Sequence, residues 1–177
     1  MRQDESRAAE AAEAASLAVR SINALVRLGG ALATLMILGV FCIVAVAIVR
    51  RYFFNAPLMW GDQFVGYVLV AIVMLGAAEA FRKGDHIAID LLSSRFGPHA
   101  ARWLDIFASL AVLAFAVVLG MSTWGSIRFA YDFGSYSIGY IEIATWVPQL
   151  PMLAGSVLLG LAAVARLLDR ITGGKRS

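Results

Sequence analysis

The sequence predicts an all-α integral membrane protein: a bundle of four transmembrane helices with an N-terminal cytoplasmic or interfacial helical extension. Three observations predict it. Charge-free apolar runs occupy residues 29–49, 63–78, 106–127 and 143–165. A helix rises about 1.5 Å per residue, so about 20 apolar residues match a hydrocarbon core of roughly 30 Å. The composition, 60% hydrophobic and 15% charged over 177 residues, is too apolar for a soluble domain, and the mean hydropathy is +0.78. The third observation is where the basic residues fall. Arg2, Arg7, Arg20 and Arg27 precede the first run, Arg82, Lys83, Arg95 and Arg102 lie between the second and third, and Arg166, Arg170, Lys175 and Arg176 follow the fourth. Only Arg50, Arg51 and Arg128 lie in the other two connections, a bias of twelve against three. Positive charge is retained on the cytoplasmic side, so both termini and the middle connection are assigned there.

Residues 1–28 are rich in Ala, Glu and Arg, which favours helix. Leu17, Ile22, Leu25 and Leu28 recur at near-helical spacing, interrupted by Arg20, Asn23 and Arg27. Two readings fit: an amphipathic helix on the cytoplasmic surface, toward which the pattern leans, or a cytoplasmic extension of the first span. The apolar run that follows exceeds the roughly 7–15 residues of a signal-peptide core and has no small-residue cleavage site after it, so it is expected to remain in the mature protein. Residues 29–165 then form the transmembrane domain, with spans at about 29–49, 63–81, 106–127 and 143–165, and 166–177 form a cytoplasmic tail.

The first span ends at Arg50-Arg51, whose long stems let their guanidinium groups reach the headgroups. Asn55-Ala56-Pro57 is turn chemistry, since Pro57 disfavours helix at the residue before it. Trp60 stands where an interfacial anchor belongs, and Asp62 suits the positive end of the second helix dipole. The second run is short unless its helix continues past Glu79 to Phe81. Glu79 lies three and four residues before Arg82 and Lys83, so an ion pair on one face is open to it. Gly84 is a natural helix stop. His86–Leu92 reads as a short interfacial segment, and Gly97-Pro98 as a break, with Pro98 in the first turn of the helix leading into span three. Trp103 would anchor that helix.

Between Trp124 and Trp146 stand Phe129, Tyr131, Phe133, Tyr136 and Tyr140, interleaved with Gly134, Ser135 and Gly139. Both an interfacial aromatic belt and a docking surface fit this composition. Pro148 and Pro151 fall in the first turns of span four, where the leading N–H groups have no helical partner. Ala116 with Gly120, and Ser156 with Gly160, are small residues spaced for close helix approach.

The residues that membrane chemistry needs are missing. His86 and His99 lie in the middle connection, outside the helices where haem ligands would be required. Cys42 is the single cysteine, which excludes an intrachain disulfide or cysteine cluster. No GxxxxGK[ST] loop occurs, and the four runs hold no ionisable side chain of the kind a proton- or ion-coupled carrier keeps near mid-membrane. Thr34, Ser109, Ser122, Thr123 and Gln149 are expected to bond their own helix or a neighbour. No enzyme activity, catalytic residue, metal site or cofactor is therefore expected in this chain. The net charge of +3 does not imply nucleic acid, because the basic residues flank spans rather than line one soluble face.

The run Arg51-Tyr52-Phe53-Phe54-Asn55-Ala56-Pro57-Leu58-Met59-Trp60-Gly61-Asp62 resembles the signature after the first helix of the small membrane subunit (DctQ-like family) of tripartite ATP-independent periplasmic (TRAP) transporters. Gly76 followed by Phe81-Arg82-Lys83-Gly84-Asp85-His86-Ile87-Ala88-Ile89-Asp90 resembles the family's exit from helix two, and Trp146 with Pro151 fits the opening of its fourth helix. The chain departs from the family in two places. Asp62 is followed by Gln63 where members often carry a second acid, and Gly139-Tyr140-Ile141 stands where many have a Gly-Ile-Pro-like turn.

The resemblance implies a scaffold subunit without a transport pathway of its own, in a bacterial-type inner membrane. Its partners would be a large permease subunit, a periplasmic substrate-binding protein and membrane lipid, with no nucleic acid. The system would take up an organic acid, typically a carboxylate, by symport with an ion, with sodium held by the large partner. Arg50, Arg51, Asn55, Pro57, Trp60 and Asp62 would form an outer cluster touching a partner or simply holding the loop. Arg82, Lys83, Gly84, His86 and Asp90 would organise the inner turn or act only as flanking charges and a helix stop. Two rivals share the chemically empty interior: a self-contained homodimeric exporter, and an accessory subunit of an unrelated membrane complex.

Overall fold

A computed structural model describes the backbone of residues 2–83 and 87–171 and the side chains of residues 17–83 and 103–168. Among the described residues there are four long helices: α1 (Arg2–Phe53), α2 (Gly61–Lys83), α3 (Ile87–Asp132) and α4 (Leu150–Ile171), the last preceded by a 3-10 turn at Val147–Gln149. Each contains a stretch long and apolar enough to cross a membrane. The architecture is the all-α four-span bundle that the apolar runs predict. Below, the end of the bundle where α1 begins and α4 finishes is called the termini end, and the opposite end, closed by residues 133–146, the strap end.

Two helices run further than local sequence suggests. α1 carries the N-terminal extension into the first span without a break. No proline interrupts it, and Gly29-Gly30 is used for packing: a Cβ on Gly30 would lie 2.6 Å from Cγ of Glu79, and one on Gly29 3.1 Å from Leu158 Cδ1. α3 likewise begins at Ile87 and passes through Gly97 and Pro98, so the expected break does not occur and Pro98 lies well inside a helix. A proline removes one helical N–H donor and costs about 3 kcal/mol in a helix interior. Helix on both sides can bear that cost, because propagation is cooperative once nucleated.

α4 is the hub. It packs against α3, α2 and α1, while α1 also packs along α2 and α3 leans chiefly on α4. A third of the fourth span is buried (33%) against 6% of the first. The core joins Val26 of α1, Ala78 and Phe81 of α2, Ala116 of α3 and Leu159, Ala162 and Ala163 of α4. Lipid tails are as apolar as leucine, so helices in a bilayer associate through close packing rather than hydrophobic expulsion. The small pairs supply that closeness. A Cβ added to Gly120 would lie 3.2 Å from Ser156 Oγ, and one on Gly160 3.6 Å from Ala116 Cβ, so the two predicted small-residue pairs face each other across the α3–α4 seam. Gly155 sits tighter still, with Met74 Cβ at 2.5 Å and the Met74 carbonyl at 2.9 Å from where its own Cβ would be.

The connections at the strap end are ordered by backbone conformation. Asn55 adopts φ 50° after α1, a left-handed state that asparagine tolerates better than most residues. Gly134, with φ 59°, ends α3, and Ser135 N–H returns to Ala130 O at 3.1 Å, the Schellman pattern. The chain then doubles back: Ser137 N–H donates to Ile143 O (2.8 Å) and Thr145 N–H to Ser135 O (2.9 Å). Trp146 caps the 3-10 turn that contains Pro148, and Pro151 lies in the first turn of α4, as expected.

Candidate functional site

Polar side chains gather at the two ends of the bundle. At the termini end, Arg82 grips Glu79 with two bonds, Nε to Oε2 and Nη2 to Oε1, both 2.7 Å, and Lys83 Nζ lies 3.7 Å from Oε1. The ion pair open to Glu79 is formed. Gly30 of α1 lets the Glu79 stem lie against its backbone. A second tie crosses helices. Arg166 of α4 sets Nη2 2.7 Å from Oδ1 of Asp105 on α3, and its Nη1 donates to the Phe81 carbonyl of α2 at 3.0 Å. Its guanidinium also covers the Phe81 ring, 5.2 Å from the centroid. The Asp105 side chain is only 3% exposed. One cation thus joins three helices.

The sequence reading missed this tie. Asp105 and Arg166 lie one residue outside the third and fourth charge-free runs, where Arg166 counts only toward the bias of basic residues and Asp105 carries no motif. A usable signal existed: opposite charges at corresponding ends of two antiparallel, adjacent spans. Of the residues expected to organise the inner turn, Arg82 and Lys83 turn toward Glu79. Gly84 and His86 lie outside the described residues, and Asp90 stands in the first turn of α3 with its side chain outside them.

At the strap end, Arg50 and Arg51 are in the last turn of α1 and Asp62 is in the first turn of α2. All three are exposed, and among the described residues no ion pair joins either arginine to Asp62. Asn55 and Pro57 shape the turn between them. Trp60 stands edge-to-face on Phe64, centroids 5.9 Å apart. The residue that organises this end is Gln63. Its Nε2 donates to Ser137 Oγ (2.8 Å), Tyr67 Oη (2.9 Å) and, more distantly, Ile141 O (3.3 Å). Its Oε1 accepts the Ile141 N–H at 3.1 Å, and Tyr67 Oη and Ser137 Oγ are 2.5 Å apart. Gly139 lies so close to the Gln63 amide that any Cβ there would overlap it. Both departures from the family pattern therefore fall on one contact: the Gln63 amide uses an Ile141 N–H that a proline would lack. Sequence reasoning noted the two departures but had no reason to join them.

Thr34 and Ser109 bond carbonyls four residues back, at 3.0 and 2.7 Å, as expected of hydroxyls in membrane helices. Thr123 Oγ1 and Gln149 Oε1 are buried without a partner. Among the described residues no three His, Cys, Asp or Glu side chains converge as a metal site.

Four membrane-length helices held by side-chain ties at the two ends of the bundle define a multi-span membrane protein. Comparison with known proteins makes this specific. Residues 40–173 match the family described as tripartite ATP-independent periplasmic transporters, DctQ component, and the chain belongs to that family. It is a multi-pass membrane protein and a small subunit of a TRAP transporter. It is 27% identical over 130 residues to the sialic acid TRAP transporter permease protein SiaT of Haemophilus influenzae (strain 86-028NP), covering 72% of this chain but 20% of that protein. It is 22% identical over 124 residues to a putative TRAP transporter small permease protein of Haemophilus influenzae (strain ATCC 51907), covering 70% of this chain and 73% of the relative. The chain thus spans a fifth of the larger permease and nearly three quarters of the small one.

Proposed function

We propose that this chain is the fixed scaffold of its transporter, bracing a large permease subunit and helping a periplasmic substrate-binding protein to dock. The observation that carries this is the pairing of four central runs free of Asp, Glu, Lys, Arg and His with ties at both ends. Such a bundle offers no ion path, yet it holds its helices in place, which is what a moving permease needs beside it. The relative that contains a similar region within a longer permease chain supports the same partnership. The positive-inside bias places the termini in the cytoplasm and the strap on the periplasmic side of an inner membrane. There Arg50, Arg51, Trp60, Asp62 and the aromatic strap are the surface a soluble partner would meet. Substrate and coupling ion, an organic acid and typically sodium, are handled by the partners. The relative's name, sialic acid, is that of a carboxylate-bearing sugar.

The test is reconstitution. The tagged chain, co-expressed with its large permease subunit, should retain that subunit through purification. Liposomes holding this chain alone should not accumulate substrate, whereas the assembled system supplied with binding protein and a sodium gradient should. Transport by the isolated chain, or a homodimer that excludes the permease, would establish the exporter reading instead.

A further inference from the structure

At the termini end α1 and α2 meet through Gly30 and Glu79, where a Cβ on the glycine would lie 2.6 Å from Glu79 Cγ. The two helices run antiparallel. Measured from that contact toward the termini end, Arg27 stands about 4.5 Å along α1 and Lys83 about 6 Å along α2, so the two cations bracket the groove between the helices. Three cations act on the Glu79 carboxylate: Arg82, Lys83 and Arg27. Arg82 directs two bonds to it and is 20% exposed, whereas Lys83 lies 3.7 Å away with 56% of its side chain exposed. Arg27 is exposed and, among the described residues, makes no ion pair. The mouth of the groove thus holds more positive charge than its carboxylate balances. Beyond the cations the lining is small. Gly76 and Lys83 flank Glu79 three residues before and four after, so their face of α2, shared with Val73 and Ala80, borders the contact with α1. Val73, Ala80 and Lys83 are exposed, and a Cβ on Gly76 would meet nothing within 4 Å. On α1 the exposed Thr34 lies two turns beyond Arg27 on the same face, its hydroxyl already bonded to Gly30 O at 3.0 Å. A trough of small, satisfied groups therefore runs from the cations into the membrane-spanning part of the groove.

We propose that this groove seats an anionic phospholipid of the leaflet at the termini end, its phosphodiester between Arg27 and Lys83 and one acyl chain along Gly76 and Ala80. Basic side chains between membrane helices suit such headgroups, and their long stems carry the charge to the level of the phosphate. A zwitterionic headgroup brings its own cation and gains less from the surplus positive charge. A free phosphate ion would meet the cations but leave the trough empty. Arg166, on the α4 side of α2, is committed to Asp105 and the Phe81 carbonyl and does not compete. The site is built from this chain alone, so it stands apart from the scaffold reading.

Thermal unfolding of the purified full-length chain in detergent, with and without added phosphatidylglycerol, tests this, since a ligand of the folded state raises the midpoint. Phosphatidylglycerol should raise the wild-type midpoint, and phosphatidylcholine at equal concentration should not. The double variant Arg27→Gln with Lys83→Gln should lose that shift. Lys175→Gln with Arg176→Gln, which removes the same charge from the end of the chain, should keep it. Gly76→Leu should leave the lipid-free midpoint unchanged and lose the shift, because its side chain fills the trough. Gly66→Leu, at another position of α2 where a Cβ meets nothing within 4 Å, should keep it. Native mass spectrometry should find phosphatidylglycerol retained by the wild type and the two controls and lost from the other variants. No shift in the wild type, an equal shift with phosphatidylcholine, or an undiminished shift in the Arg27→Gln, Lys83→Gln variant overturns the proposal. Loss of the shift in the Lys175→Gln, Arg176→Gln control also overturns it, since the lipid would then answer to net charge and not to a site. A shift reproduced by inorganic phosphate would establish an ion site instead, and a shift kept by Gly76→Leu would remove the acyl trough; either result overturns the lipid assignment.

Discussion

The two ends of the bundle solve the same problem with different chemistry. At the termini end one guanidinium, Arg166, joins α2, α3 and α4 by meeting a carboxylate and a carbonyl. At the strap end one neutral amide, Gln63, joins α2 to the strap by meeting two hydroxyls and a peptide group. Both are single side chains that reach separate elements. They differ in what is left behind when they are removed. Without Arg166, Asp105 is a buried charge with its cross-helix cation gone. Without Gln63, Tyr67 and Ser137 still have each other. Removing a tie is therefore expected to hurt most where the partner is charged and least accessible.

The largest expected effect follows directly. Arg166→Ala should destabilise the bundle by up to about 3–5 kcal/mol, the range seen when one member of a buried ion pair is removed. Replacing both members with apolar residues, as in Asp105→Leu with Arg166→Met, should recover much of that loss, because the desolvated charge goes too. Thermal unfolding of the purified chain in detergent reads both. A single variant no worse than the double would mean that Asp105 is not isolated by the change, and the contrast between the ends would fail.

Next in size is a change between the ends. Gly155→Ala places a Cβ 2.5 Å from Met74 Cβ and 2.9 Å from its carbonyl, and the Met74 backbone cannot swing aside. Overpacking of this kind costs about 1–3 kcal/mol. The same substitution at Gly76, where a Cβ meets nothing within 4 Å, should be neutral or slightly stabilising through helix propensity. Equal midpoints for the two variants would show that the α2–α4 seam yields and that the end ties carry the rigidity.

These contrasts also mark what the sequence could reveal. The four spans were legible because hydrocarbon thickness demands long apolar runs. The Glu79–Arg82 pair was legible because its partners share one helix turn, and the α3–α4 seam because Ala116, Gly120, Ser156 and Gly160 carry a spacing that implies approach. The Asp105–Arg166 tie was not, since it depends on the register of two helices rather than on spacing in one. Gln63 stayed hidden for a similar reason: an amide at the head of an apolar span has no periodic signature, and its partners in the strap lie more than seventy residues away, Ser137 at a separation of 74. The continuity of α3 through Gly97-Pro98 escaped local rules because helix on either side outweighed them. Arg50, Arg51 and Asp62 stood close in sequence, yet the turn between α1 and α2 leaves them exposed, with no ion pair joining them among the described residues.

The smaller pair of predictions separates charge from neutrality where magnitudes alone would not. Gln63→Ala strands the Ile141 N–H and should cost about 1–2 kcal/mol. Gln63→Glu, which keeps an acceptor for that N–H and can take hydrogen bonds from Tyr67 and Ser137, should cost less. At the termini end, Glu79→Gln should cost only about 0.2–1 kcal/mol, because the Glu79 and Arg82 side chains are still 16% and 20% exposed and the amide keeps one acceptor for Arg82. Salt then distinguishes them. Raising ionic strength toward about 1 M shortens the Debye length to about 3 Å, so the gap between wild type and Glu79→Gln should close while the gap for Gln63→Ala stays. If the Gln63→Ala gap closed as well, the strap end would also be held by charge, and Arg50, Arg51 and Asp62 would be the residues to examine. If neither gap moved, Glu79 would matter mainly as the stem packed against Gly30, and Gly30→Ala, with its Cβ 2.6 Å from Glu79 Cγ, should then cost more than loss of the charge.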